Sequence, residues 1–234
     1  MTDELFREDA YAQRCDAKVV AAVEGGVCLD RTVFYCTGGG QPGDRGRLLL
    51  DHGAALEVVD TVKDGARLVH RLTDGIEPPA VGARVIGELD WPRRHRLMRM
   101  HSAMHLLCAA IARPVTGGQV GEQKSRLDFD LQGEAVDKDE IAHTIERWIA
   151  EDRPISHSWI DAAELEARPE LVRTMSVRPP TSAGRVRLVE IAGVDLQACG
   201  GTHVRSTGEI GAVSVGKIEN KGRQNRRISL TLHD

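Results

Sequence analysis

The stretch ARVIGELDWPRRHRLMRMHSAMHLLCAAIA, residues 83–112, contains the change of rhythm that sets the fold. Up to Asp90 it reads as a β segment, with Val85 and Leu89 apolar and Arg84 and Glu88 charged. Trp91-Pro92 interrupts that pattern, because a residue before proline is pushed towards extended geometry. Beyond it, Leu97, Met100, Met104, Leu107, Cys108 and Ile111 fall in one stripe at about 100° per residue, which predicts an amphipathic helix with His101 and His105 on the edge of the stripe. A domain boundary near Trp91 follows, with an N-terminal domain over 1–91 and a second domain over 92–234.

On the N-terminal side, AKVVAAV, VCLD, TVFY, RLLL, ALEVVDTV, ARLVHRL and ARVIGELD are short β segments separated by Gly, Asp and Pro turns, a spacing that suits a small β-barrel. On the C-terminal side a glycine turn at Gly117 and Gly118 leads into SRLDFDLQ, where Leu127, Phe129 and Leu131 alternate as in a strand. Asp137 with Glu140 forms a capping-box signal for a helix carrying Ile141, Ile145, Trp148 and Ile149. A short helix is expected over AAELEARPELV (162–172), and VRLVEI, GAVSVGKIE and RRISLTL read as strands. The fold class expected is α+β: the barrel, followed by a mainly antiparallel sheet with helices on one face.

A hydrophobic fraction of 41% suits a packed globular chain. The N-terminus lacks an apolar leader and no run approaches the roughly 20 apolar residues of a membrane span, so a cytoplasmic protein without membrane contact is expected. Five cysteines (Cys15, Cys28, Cys36, Cys108, Cys199) without close pairing argue for reduced thiols or a metal ligand rather than a disulfide framework. Net charge of −4 is not the footprint of a chain that coats nucleic acid, so RNA contact would be local. Two clusters could supply it: Arg93, Arg94, Arg96 and Arg99, and Lys217, Lys221, Arg223, Arg226 and Arg227. The plain alternative for each is a solvated charged face.

Two histidines four apart on a helix project from the same side, so His101 and His105 can reach one ion. Cys199-Gly-Gly-Thr-His203 adds a thiolate and an imidazole across a glycine-rich turn, whose glycines permit backbone angles that a β-carbon would forbid. The mixed nitrogen and sulfur set suits Zn2+, one per chain, better than calcium, magnesium or redox iron. Ser102 stands where a metalloprotease would carry its glutamate base, which argues against a protease. Four protein ligands close a tetrahedron, so catalysis requires either one loose ligand or a five-coordinate ion to admit a zinc-bound water. Such a water would be acidic near neutrality and able to attack an ester carbonyl.

HSAMHLL (101–107) and DLQACGGTHV (195–204) resemble the two zinc motifs of the alanyl-tRNA synthetase editing domain and its freestanding relatives, the alanyl-tRNA editing proteins. LDRTVFYCTGGGQPGDRG (29–46) resembles the glycine-rich signature of that group's N-terminal barrel, and IENKGRQNRRISL (218–230) its C-terminal strand pair. The resemblance implies a trans-editing hydrolase that deacylates mischarged Ser-tRNA(Ala), with Gly-tRNA(Ala) as a second candidate. It implies zinc ligation by His101, His105, Cys199 and His203, a sensor of the serine hydroxyl in Thr32, and a wall near the amino acid or terminal adenosine in Gly38, Gly39, Gly40 and Gln41. Met104 and Thr202 would border the substrate, and the backbone amides of Gly200 and Gly201 would stabilise the oxyanion. Met104 stands where synthetase editing domains often show threonine, and Cys36 where the signature usually has proline. The expected partner is tRNA, with no membrane and no ATP; monomer and homodimer are both compatible with the sequence.

Two other readings stay open: a non-catalytic, zinc-stabilised RNA-binding adaptor, and a hydrolase of a different aminoacyl-tRNA ester. A phosphate-binding loop at GGGQPGD is disfavoured, because it lacks Gly-Lys-Ser/Thr and leads into RLLL rather than a helix.

Overall fold

The computed structural model describes residues 2–173, 181–182 and 184–234. The chain divides into two compact units, Met1–His95 and Arg96–Asp234.

In the first unit the strands are β1 (Asp3–Glu4), β2 (Arg14–Val23), β3 (Gly26–Leu29), β4 (Arg31–Thr32), β5 (Gly46–Leu50), β6 (Ala55–Asp64), β7 (Arg67–Leu72) and β8 (Arg84–Leu89). Six of them pair antiparallel in the cyclic order β2-β3-β7-β6-β5-β8 and back to β2. Val19, Val27, Leu29, Leu48, Val58, Leu72 and Val85 form the core of this unit with Phe34. The segment TVFY is not the strand its composition suggests. Only Thr32 belongs to a ladder, in the short parallel pair β1-β4, and Val33, Phe34 and Tyr35 are buried outside any strand. Their backbone groups find other partners: the Tyr35 N–H donates to Asp44 Oδ2 at 2.6 Å, and the Val33 carbonyl accepts from Arg94.

Arg94 is fully buried and pairs with the equally buried Asp44, its Nε donating to Oδ2 at 2.8 Å. Its other nitrogens donate to Ala10 O and Val33 O, while Arg93 donates to Gly43 O. In the second unit, Arg99 donates to Ile210 O and Arg96 pairs with Asp234. Arg93 and Arg94 are therefore structural, buried within the first unit, and both the RNA-facing and the solvated-face readings are corrected for them; Arg96 and Arg99 are half-exposed.

Helix α1 spans Trp91–Ile111, so helical geometry starts at Trp91 itself. Pro92 sits in the first turn, where its missing N–H leaves no helical bond unmade, and the Asp90 carboxylate accepts from the Arg93 N–H at 3.2 Å. The amphipathic stripe is also corrected. Met98, Ser102, Ala103 and Leu106, off the stripe, are as buried as Leu97, Met100, Met104 and Leu107 on it, whereas Ile111 is half-exposed. Between Met100 and Cys108 every residue of the helix is buried, as in a core helix. No helix among the described residues is long and apolar enough to cross a membrane.

The second unit adds β9 (Val115–Gln119), β10 (Lys124–Asp130), helix α2 (Lys138–Ala150), β11 (Ile155–Asp161), helix α3 (Ala162–Glu166), β12 (Thr181–Ser182), β13 (Arg185–Ile191), β14 (Asp195–Ala198), β15 (Val213–Val215), β16 (Glu219–Asn220) and β17 (Asn225–Leu232). Among the described residues it holds two antiparallel sheets rather than one: β15-β17-β10-β9 with β16 on β17, and β11-β13-β12 with β14 on β13. The α+β class with mainly antiparallel strands therefore holds. Gly117 and Gly118 lie within β9 opposite Asp128 and Leu127, not in a turn. A β-carbon at Gly118 would come within 2.8 Å of Leu127 Cδ2, so the glycine permits close strand packing. Asp137 caps α2, accepting from the Asp139 and Glu140 amides. Helix α3 stops at Glu166, well short of Val172, because Pro169 cannot continue it; a 3-10 turn over Pro169–Leu171 follows.

Candidate metal centre

Helix α1 and the loop after β14 bring His101, His105, Cys199 and His203 together, with one ligand atom from each within 4.8 Å of all the others. The three imidazole centroids are 4.4, 4.5 and 5.4 Å apart. Cys199 Sγ lies 3.3 Å from His203 Nε2 and 3.6 Å from His101 Nε2. The helical i, i+4 spacing explains the first pair. The second depends on the bend at Gly200-Gly201, and neither glycine there has positive φ. The left-handed backbone expected of this turn is not used.

Hydrogen bonds hold the loop in place. Arg187, from β13, donates to the carbonyls of Cys199 at 3.2 Å and Gly201 at 3.0 Å. The Gly201 N–H points at Cys199 Sγ, 3.4 Å away. Ser102 links helix to loop: its Oγ accepts from the Val204 N–H and lies 3.2 Å from His203 Nδ1.

A further layer lies behind His105. Asp195 and Gln197 share the buried face of β14, four and two residues ahead of Cys199. Asp195 Oδ2 is 3.1 Å from His105 Nδ1 and accepts from Gln197 Nε2 at 2.6 Å. Arg173 Nε stands 3.3 Å from Asp195 Oδ1, an ion pair too poorly aligned to be a hydrogen bond. Sequence reading missed Asp195, Gln197, Arg173 and Arg187. The available signal was the alternation Asp-x-Gln-x-Cys, which on a strand puts all three side chains on one face.

The electrostatics are those of a cation site. Burial disfavours the Cys199 thiolate, but the charges of His101 and His203 and hydrogen bonds from His101 and His105 outweigh it and hold the thiol well below its ordinary pKa. Burial likewise opposes the His105 cation, yet the bonds to Asp195 and Cys199 prevail and push that histidine up to about 9. Burial and the neighbouring His101 charge push His203 well down. Asp195, although buried, is kept below the usual carboxylate range by His105, Gln197 and Arg173. Three imidazoles and one thiolate converge in the interior as a mixed nitrogen and sulfur set that could hold a metal ion, and the donor set fits zinc.

Met104 and Thr202 are both buried in this unit. The remaining sequence candidates belong to the first unit. Gly38 and Gln41 exchange both backbone hydrogen bonds around Gly39 and Gly40, whose φ values of 57° and 81° make a tight two-residue turn. Thr32 has no exposed surface. Its Oγ1 accepts from the Phe34 N–H at 3.0 Å and lies 2.8 Å from His70 Nε2. Burial pushes His70 down to about 4, so its ring is neutral at pH 7. With Nδ1 donating to Val27 O, Nε2 accepts the Thr32 proton. Thr32 thus bonds within its own unit.

Residues 7–93 match the family described as tRNA synthetases class II (A), and residues 186–229 match the threonyl and alanyl tRNA synthetase second additional domain. These matches place the chain among domains related to tRNA synthetases. The chain is 38% identical to alanyl-tRNA editing protein AlaX-M of Methanosarcina acetivorans, covering 100% of both proteins. It is 32% identical to that of Saccharolobus solfataricus over 99% of each. Against the alanine–tRNA ligase of Pyrobaculum neutrophilum it is 40% identical, with 93% of this chain matching 25% of the ligase. The chain belongs to the alanyl-tRNA editing protein family.

Proposed function

We propose that this protein is a trans-editing aminoacyl-tRNA deacylase that hydrolyses Ser-tRNA(Ala), with Gly-tRNA(Ala) as a second substrate, at a Zn2+ centre held by His101, His105, Cys199 and His203. The observation that carries this reading is the convergence of those four donors in a member of the alanyl-tRNA editing protein family. When bound, zinc supplies Lewis acidity towards the ester carbonyl and the attacking water. The water adds to the carbonyl carbon, the bond to the ribose oxygen breaks, and that oxygen takes the proton, giving free amino acid and tRNA. Cys199 contributes its thiolate, Arg187 holds the Cys199–Gly201 backbone, and Ser102 sets the His203 ring. The tRNA backbone is met locally by Lys217 and Arg223, both exposed, with Lys221 beside them ion-paired to Glu219. Arg227 is not part of that surface, since it makes two hydrogen bonds to Asp128.

Deacylation of Ser-, Gly- and Ala-tRNA(Ala) and a panel of other charged tRNAs, with and without chelator, tests the proposal. Release of serine well ahead of alanine, abolished by chelation and restored by zinc, is expected. Equal rates for the two esters contradict editing; a zinc-loaded protein that unfolds on chelation and never cleaves an ester is instead a structural adaptor.

A further inference from the structure

We infer that Asp195, backed by Gln197 and Arg173, is the positioning residue of the metal centre: it fixes His105 with its proton on Nδ1 and so presents Nε2 to the ion. The inference rests on the zinc reading given above. A side-chain carboxylate with no exposed surface is costly to bury unless it is fully partnered. Asp195 sits against three nitrogens, His105 Nδ1 at 3.1 Å, Gln197 Nε2 at 2.6 Å and Arg173 Nε at 3.3 Å. An ionised carboxylate only accepts, so the proton on the His105–Asp195 contact belongs to Nδ1. His105 then has Nε2 alone as a lone-pair donor. Gln197 Nε2 also lies 3.1 Å from His105 Nδ1, and with the proton on Nδ1 the Gln197 amide is left to donate to Asp195 Oδ2, the oxygen that His105 faces.

Ser102 treats His203 in the same way. With His203 Nε2 turned to Cys199, its Nδ1–H donates to Ser102 Oγ. His203 and His105 are therefore tautomer-locked from behind, but by unequal partners: a neutral hydroxyl for His203 and a buried anion for His105. Charge gives the second contact its weight. A divalent ion beside one thiolate leaves a net positive centre; Asp195 places a negative charge one imidazole away, and Arg173 partly balances it. Removing that charge makes His105 a poorer donor and frees its ring, and losses of about 10–100-fold in metal affinity are typical when such a partner is removed.

The test uses the full chain and zinc alone. Zinc affinity is measured by competition with a chromophoric chelator for wild type, Asp195→Asn, Gln197→Ala and the distant cap variant Asp137→Ala. Ring 15N shifts of His105 are recorded with zinc bound. Asp195→Asn is expected to weaken zinc about 10–100-fold, Gln197→Ala to weaken it less, and Asp137→Ala to leave it unchanged, with Nδ1 protonated in the wild type. Wild-type affinity in both site variants, or a zinc-loaded His105 protonated on Nε2, overturns the inference and leaves the zinc centre standing. A wild type that takes up no zinc overturns the metal reading and this inference with it. Should Asp195→Asn not fold, Gln197→Ala decides.

Discussion

Acid should weaken the first unit through a single buried group, His70. The folded protein holds its ring neutral, with a pKa of about 4 against an ordinary 6.5, because burial disfavours the cation. The unfolded chain binds that proton more readily, so below 6.5 it gains protons that the folded state refuses. Stability from this group is intact above pH 6.5 and is lost as pH falls towards 4. At about 1.36 kcal/mol per pKa unit, the loss is about 2 kcal/mol between pH 7 and pH 5 and about 3 kcal/mol once pH passes below the folded value. Urea unfolding at pH 7 and pH 5, for wild type and His70→Gln, reads it directly. Glutamine can hydrogen-bond with Val27 O and Thr32 but carries no charge, and every other titrating group is shared, so the difference between the two pH slopes belongs to His70. Parallel slopes would refute the reasoning.

Arg94→Met should destabilise the first unit by about 3–5 kcal/mol, because it leaves Asp44 as an uncompensated buried charge; a shift in the urea midpoint worth less than about 1 kcal/mol would contradict the pairing. Asp137→Ala removes the cap of α2 and should cost about 1 kcal/mol, read as a lower thermal midpoint. The double variant Lys217→Ala, Arg223→Ala should weaken tRNA binding at low salt and flatten the logarithmic salt dependence by about one for each phosphate no longer neutralised; an unchanged slope would move the RNA surface elsewhere.

Local signals carried the four donor residues. His101 and His105 announce themselves by helical spacing, Cys199 and His203 by a short turn, and Asp137 by its place before α2. What stayed hidden depends on partners far along the chain. Arg94 looked like one of four surface arginines because its carboxylate partner, Asp44, lies 50 residues earlier. Asp195 was visible only through the alternation Asp-x-Gln-x-Cys, since its partner His105 is 90 residues away. Enclosure misled the reading of α1: a stripe of apolar residues predicts one buried face, but small or weakly polar side chains such as Ser102 and Ala103 let neighbours close over the rest. In TVFY, β-favouring composition gave way to burial without ladder partners, since Asp44 and Arg94 satisfy part of that backbone.

X-ray absorption at the zinc edge of the purified, zinc-loaded protein tests the central claim most directly. The account predicts one zinc per chain with a single sulfur at about 2.3 Å and imidazole nitrogens at about 2.0 Å, the sulfur signal vanishing in Cys199→Ser. A zinc shell of nitrogen and oxygen alone, or a protein that retains no zinc, would contradict it.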